Sequence, residues 1–297
     1  MKEFKYKKID AFATKKSGGN PAGYILLDSM EEITESEMLG IAKEMQGFVN
    51  EVGYVARNDE AGFDLRYYSS EREVDFCGHA TVAIFYDLIK NSEEYVDQKE
   101  IPIFTNKGKL IVSNRLKEED SVFVLSPEPL EIKGKPETSD IAKKLVIDET
   151  RLNPKLPITI INAGLNTLIV PILDLETTLS INPNEQELKT FCNANGIDII
   201  IVFSSEVIDS KSDYRTRVFA PTFGYLEDPA TGSGNSAFGY YLINNGLWKE
   251  GTLTIEQNRL KDAFNVVKLQ KKKEGKIERV SFGGGAITRI EGKYFIY

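Results

Sequence analysis

The chain has very few of the residues from which metal sites and disulfide frameworks are built. Among its 297 residues there are two cysteines and one histidine. Two cysteines cannot form the several bridges of a disulfide-rich fold, and no C-x-x-C pair is present to bind zinc. A single histidine also excludes a histidine-rich metal site. We therefore expect a protein without a metal ion or a disulfide framework.

Long apolar runs and an excess of positive charge are missing as well. No apolar stretch approaches the ~20 residues that span a membrane, and residues 1–6 lack the apolar core of a signal peptide. The net charge of −8 disfavours nucleic acid and anionic membranes as main partners, because both attract basic surfaces. The sequence favours a cytoplasmic protein.

The chain does contain a distinctive junction between a turn and an apolar helix, at residues 75–81 (D-F-C-G-H-A-T). It holds the only histidine, His79, directly after Cys77 and Gly78. The first N–H groups of a helix lack partners and carry partial positive charge, and a glycine lets a ligand approach them. The junction is predicted to bind an anion beside a titratable group.

Residues 227–235 (E-D-P-A-T-G-S-G-N) repeat this junction in the second half of the chain. An alignment without gaps pairs three positions: Thr231 with Cys77, Gly232 with Gly78, and Ser233 with His79. Upstream, residues 217–219 match 66–68, and residues 196–202 match 48–55 more faintly. Several matches in the same order indicate two related halves, each with one glycine-led helix.

The order of elements predicts an α+β fold. Strand-rich segments with one long apolar helix per half predict two curved, mostly antiparallel sheets, each wrapped around its own central helix. The chain is longer than the usual limit for a single core. We place the N-terminal domain at 1–115 plus 286–297, with the last strand returning to it, and the C-terminal domain at 116–285.

Three side chains are candidates for acid–base chemistry. His79 can donate to a bound carboxylate or hydroxyl, although a lone histidine is more often a capping or core residue. Asp228 either initiates a turn before Pro229 or presents its carboxylate to the same site. Glu51 is predicted within the apolar strand 48–55. It is either an edge-strand residue that faces water or a buried acid suited to carry a proton at neutral pH.

Cys77 suggests another mechanism. Two thiols on opposed helix starts could remove and return a proton at one carbon. The residue aligned with Cys77 is Thr231, which is not a base. A symmetrical two-cysteine racemase is therefore disfavoured, and Cys77 is predicted to be a packed thiol.

Four segments together resemble the PhzF-like (phenazine biosynthesis-like) proteins: 19–23 (G-N-P-A-G), 50–51 (N-E), 76–81 (F-C-G-H-A-T) and 227–233 (E-D-P-A-T-G-S). The resemblance covers essentially the whole chain. It implies a diaminopimelate epimerase-like fold of two pseudo-symmetric barrel domains with the active site between them. It also implies a cofactor-independent isomerase that is usually a homodimer.

The resemblance further implies roles for six residues. It implies catalytic roles for Glu51, which would move the proton, and for His79 and Asp228. It implies substrate contacts for Gly78, Gly232 and Ser233. Our first hypothesis is thus an isomerase that shifts a proton on a small carboxylate-bearing substrate. The alternatives are a hydroxyproline-type epimerase or dehydratase that uses Cys77 as its base, and a non-catalytic family member that binds a ligand or partner.

Overall fold

The protein is described here by a computed structural model that covers residues 1–274 and 277–297. Its strands are β1 (Lys2–Ala11), β2 (Asn20–Leu27), β3 (Glu51–Arg57), β4 (Phe63–Ser69), β5 (Glu73–Val74), β6 (Glu100–Thr105), β7 (Gly108–Arg115), β8 (Ser121–Leu125), β9 (Leu130–Ile132), β10 (Thr159–Asn162), β11 (Asn166–Pro171), β12 (Ile199–Ser204), β13 (Tyr214–Phe219), β14 (Glu227–Asp228), β15 (Leu253–Gln257), β16 (Asn265–Glu274), β17 (Ile277–Gly284) and β18 (Ala286–Ile296). Its α-helices are α1 (Glu35–Glu44), α2 (Gly78–Lys90), α3 (Leu116–Glu119), α4 (Thr138–Leu145), α5 (Leu175–Ser180), α6 (Glu185–Ala194) and α7 (Gly232–Asn244).

The chain forms two compact units. The first comprises Met1–Leu125 and Gly283–Tyr297, and the second comprises Ser126–Phe282. Strand β8, which lies beyond the 115/116 boundary predicted from the sequence, pairs with β7 and belongs to the first unit.

In the first unit a curved sheet wraps around α2. The strands follow one another in the order β18, β1, β2, β3, β4, β6, β7, β8. Helix α2 contacts β1, β2, β3, β18 and, from the other end of this order, β8. Most of its residues are buried, as expected of a helix that is apolar nearly all round. The predicted pairing of the last strand with the first half is confirmed by the antiparallel β1–β18 pair.

Helix α1 covers the outer face of this sheet. Its N-cap residue Thr34 accepts from the Glu37 backbone N–H, while the Glu37 carboxylate accepts from the Thr34 N–H. The two bonds form a capping box. The buried residues Met38 and Ile41 of α1 pack with Tyr54 in one core cluster.

The second unit repeats this plan around α7. Strands β9, β10, β11, β12, β13, β15 and β16 follow one another, and α7 contacts β10, β11, β12 and β16. Helices α4 and α6 pack on the other face of the sheet, where Ile141, Leu145 and Leu188 share a core with Leu168 and Ile200.

Strand β2 begins at Asn20 because this segment already pairs with β1 through Ala11. One local prediction is corrected. Glu51 was predicted within a strand, but it is the first residue of β3. The residues before it form a tight turn, with Gly47 at φ 88° and a bridge between Gln46 and Val49.

Candidate functional site

In the first unit, Glu51, Cys77 and His79 form one cluster. Glu51 Oε2 lies 3.3 Å from His79 Nε2, and Cys77 Sγ lies 3.4 Å from His79 Nδ1. One ligand atom from each of the three residues lies within 4.8 Å of the others. The structure thus joins the first residue of β3 to the N-cap residue of α2, which are 26 residues apart in the chain (77 minus 51).

The alternation of side chains along β3 directs Glu51 towards helix α2. Side chains alternate between the two faces of a strand, so Glu51 shares a face with Gly53 and opposes Val52. A Cβ on Gly53 would lie 2.5 Å from Ile84 Cδ1 of α2, which shows that this face packs directly on the central helix. Val52 belongs to the core cluster on the opposite face. Glu51 therefore extends the α2-facing row beyond the packed part of the sheet.

His79 is neutral at physiological pH. Burial lowers the pKa of His79 to about 4, although its hydrogen bond to the backbone carbonyl of Pro21 acts in the opposite direction. The contact of 3.3 Å between His79 and Glu51 therefore joins a carboxyl group to a neutral imidazole and is not an ion pair. Both side chains keep some access to solvent, at 13% and 21% exposure.

Cys77 is the N-cap residue of α2 and is buried, as predicted. Its thiol is more than a packing group, because its sulfur contacts the imidazole. Its backbone carbonyl accepts from the hydroxyl of Thr81 at 2.7 Å, and that hydroxyl also hydrogen-bonds Tyr67 at 2.7 Å. These contacts fix the first turn of the helix.

The start of α7 repeats the start of α2 in detail. Each helix has 13 residues and begins at the glycine that the sequence alignment pairs. The N-cap residues have nearly equal dihedral angles, φ −127° and ψ 107° for Cys77 against φ −125° and ψ 116° for Thr231, and neither side chain caps its helix. The C-caps, Asn91 and Asn245, also correspond. The predicted alignment is confirmed at both ends of the helix.

Asp228 is buried in the second unit, on the short strand β14. Burial raises the pKa of Asp228 to about 6, and the nearby Glu227 acts in the same direction. Hydrogen bonds from the Thr231 hydroxyl and the Ala230 N–H act against this increase. Asp228 therefore changes protonation state near neutral pH.

Gln257 organises the turn that carries Asp228, and the sequence reasoning missed it. Its fully buried amide accepts from the N–H of Thr231 at 3.1 Å and from Asn235 at 2.6 Å. It donates to the Asp228 carbonyl at 2.9 Å and to the Thr231 hydroxyl at 3.2 Å. A polar amide at the end of β15, after the apolar residues Leu253 and Ile255, was the signal that could have found it, because a buried amide needs partners.

The two units share a scaffold and differ at the reactive positions. Each places an arginine–glutamate pair next to the helix start, Arg66 with Glu73 at 2.7 Å and Arg217 with Glu227 at 2.9 Å. The strand registers align Glu51 with Ile199 and Val74 with Asp228. Each unit therefore has an acid where the other has an aliphatic side chain.

Among the described residues, no helix is both long and apolar enough to cross a membrane.

Comparison with known proteins identifies relatives over the whole chain. The family model described as "Phenazine biosynthesis-like protein" matches residues 9–292. The "Uncharacterized isomerase YfhB" of Bacillus subtilis is 30% identical, over 98% of this chain and 99% of its own length. A "Phenazine biosynthesis-like domain-containing protein" of Bos taurus is 26% identical, over 95% of this chain and 96% of its own.

Solved structures share the fold. The PhzF-family phenazine biosynthesis protein of Bacillus anthracis has a TM-score of 0.85 and 24% identity, and the match covers 100% of both chains. A hydroxyproline epimerase from Agrobacterium vitis has a TM-score of 0.56 and 12% identity, over 99% of this chain and 91% of that one. At these identities the likeness speaks for the fold alone, and it confirms the predicted epimerase-like α+β class.

The fold and the relatives together define an enzyme of the isomerase class. The chain belongs to the PhzC-PhzF family of phenazine biosynthesis-like proteins, as the match over residues 9–292 shows.

Proposed function

We propose that this isomerase catalyses a cofactor-independent proton transfer on a small carboxylate-bearing substrate. The contact of 3.3 Å between Glu51 and His79 at the start of α2 carries the proposal. It combines a carboxyl group that can accept and return a proton with a neutral imidazole that can hydrogen-bond the substrate. Free N–H groups at the first turn of a helix favour a bound anion.

The proposal assigns each group a role. Glu51 takes the proton from one carbon and delivers it to another. The neutral His79 ring gives its single N–H to the Pro21 carbonyl, so its other ring nitrogen accepts a hydrogen bond from the substrate without introducing a positive charge. Asp228 acts as a second acid–base group, since burial raises its pKa to about 6. The backbone at Gly78 and at Gly232-Ser233 is proposed to bind the substrate.

Glu51→Gln tests the central role. The variant keeps the size and the hydrogen-bonding capacity of the side chain but cannot carry the proton. We expect proton exchange to fall by at least about 10²-fold, with binding nearly unchanged. The measurement is solvent-deuterium incorporation, followed by NMR, into a panel of small amino and hydroxy acids. Glu71→Gln, an exposed carboxylate between β4 and β5, is the matched control and should exchange like the wild type.

A Glu51→Gln protein with the wild-type exchange rate would remove Glu51 from the mechanism. If the wild-type protein neither binds nor exchanges any compound of a broad panel, a non-catalytic binding role is favoured instead.

The position of Cys77 supports a second candidate, an epimerase or dehydratase of the hydroxyproline type with a single thiol base. The observation in its favour is the contact of 3.4 Å between the Cys77 sulfur and the His79 ring. Cys77→Ser separates the two proposals in the same exchange assay. Activity should survive if Glu51 carries the proton and collapse if the thiol does.

Homodimer formation and a cytoplasmic location stay predictions. Size-exclusion chromatography with light scattering would measure the first, and cell fractionation the second.

A further inference from the structure

We propose that Glu51, Cys77 and His79 form a binding site for Zn²⁺ and that the ion inhibits the enzyme. Zinc binding rests on the geometry of the cluster alone. Inhibition rests on the function proposed above, because the ion would occupy the carboxylate and the imidazole that the reaction uses.

The donor atoms suit zinc in kind. Thiolate sulfur, imidazole nitrogen and carboxylate oxygen are the three protein donors that Zn²⁺ prefers, and a Cys/His/Glu set combines all three. This set does not follow C-x-x-C spacing, because two donors come from a C-x-H turn and the third from a strand 26 residues earlier (77 minus 51).

The distances suit zinc as well. A tetrahedral ion with bonds of about 2.05 Å to nitrogen and oxygen and about 2.3 Å to sulfur places nitrogen about 3.3 Å from oxygen and about 3.6 Å from sulfur. The observed distances from His79 Nε2 are 3.3 Å to Glu51 Oε2 and 3.9 Å to Cys77 Sγ. The distance to Glu51 Oε2 matches the tetrahedral value. A small side-chain rotation would shorten the distance to Cys77 Sγ to the tetrahedral value.

The surroundings provide support for a bound ion. The His79 ring hydrogen-bonds the backbone carbonyl of Pro21, and contacts of this kind commonly orient metal-binding histidines. The first turn that carries Cys77 and His79 is fixed by the hydroxyl of Thr81. Glu51 and His79 are partly exposed, so an ion can reach the cluster from solvent.

Binding would leave one coordination position of the tetrahedron for water or a substrate oxygen. The ion takes the thiolate form of Cys77, so each binding event releases the thiol proton to solvent. Neither oxidation nor a co-reactant is involved, and a chelator should reverse the inhibition.

The test is titration of the purified full-length protein with Zn²⁺ by calorimetry, and with Co²⁺ as a spectroscopic probe of thiolate ligation. We expect one ion per chain and a sulfur-to-cobalt charge-transfer band. Cys77→Ser should lose the band and bind Zn²⁺ at least about tenfold more weakly, because loss of even an outer hydrogen-bond partner costs 10–100-fold. Glu51→Gln should also bind Zn²⁺ more weakly than the wild type.

Cys192→Ser is the matched control, since Cys192 is the chain's other cysteine and lies buried on α6. It should bind like the wild type. Lack of binding by the wild type, or equal binding by Cys77→Ser, would overturn the proposal. Binding without any effect on proton exchange would keep the ion site but contradict the function assigned to Glu51 and His79, so the two failures can be told apart.

Discussion

At the scale of single residues, burial is the main cause of two opposite pKa shifts, the decrease at His79 and the increase at Asp228. Burial disfavours the charged form of any group, so it lowers the pKa of His79 to about 4 and raises that of Asp228 to about 6. At neutral pH this leaves an uncharged imidazole and an acid that is close to its own pKa. Each group, taken by itself, is thus suited to hydrogen bonding or proton transfer.

The raised pKa of Asp228 gives a prediction for stability. An acid with a higher pKa in the folded than in the unfolded protein binds more protons when folded, so its contribution is favourable at low pH and is lost as the pH rises from about 4 to about 6. We expect Asp228→Asn to be more stable than the wild type above pH 7, by up to about 3 kcal/mol. The advantage should shrink or disappear near pH 4.

Urea denaturation at pH 4.5 and 7.5 measures this difference. Asp209→Asn, an exposed aspartate of the same unit, is a control. An advantage for Asp228→Asn that is equal at both pH values would show that the carboxyl is not destabilised by burial.

At the scale of elements, the start of α7 depends on the close approach of a neighbouring ring. A Cβ added to Gly232 would lie 2.4 Å from two ring carbons of Phe282. Packing against Phe282 therefore requires a glycine at position 232, in addition to the ligand access inferred from the sequence. At Gly53 the neighbour is the flexible end of Ile84, which can rotate away more easily than a buried ring.

Gly232→Ala is therefore expected to destabilise the second unit by about 1–3 kcal/mol, as overpacking does in other cores. The matched control is Gly40→Ala in the interior of α1, where nothing lies within 4 Å of the added methyl group. That variant should be neutral or more stable by up to about 1 kcal/mol, because alanine favours helix. Thermal unfolding compares the two, and equal effects would refute the packing argument.

At the scale of the whole molecule, Asp87 ties the two ends of the chain to the central helix of the first unit. Its buried carboxylate on α2 accepts from Lys7 of β1 at 2.8 Å, from Tyr24 of β2 at 2.8 Å and from Thr288 of β18 at 2.8 Å. Strand β18 also pairs with β1 along nearly its whole length. The C-terminal strand is thus an integral part of the first unit.

We expect Asp87→Ala to destabilise the first unit by about 2–4 kcal/mol, because it leaves the buried Tyr24 hydroxyl and the half-buried Lys7 ammonium without their shared acceptor. Asp97→Ala, which removes an exposed ion pair with Lys117, should change little. Chemical denaturation followed by circular dichroism measures both. A loss no larger for Asp87→Ala than for Asp97→Ala would contradict the role assigned to this contact.

The sequence by itself determined the helix ends and the duplication. The capping box at Thr34, the glycine starts at Gly78 and Gly232, and the alignment of Thr231 with Cys77 depend on local backbone preferences, and these act between residues that are near in the chain. Motif resemblance added the family and the fold.

Only the tertiary structure decided which side chains meet. Residues that are distant in sequence meet in two places. Glu51 contacts His79 in the cluster that includes Cys77, and Gln257 hydrogen-bonds the turn that carries Asp228. Strand register and burial set these contacts, since a shift of one residue would turn Glu51 to the opposite face of its sheet. The same burial fixes the charge of His79 and Asp228, which no local pattern reveals.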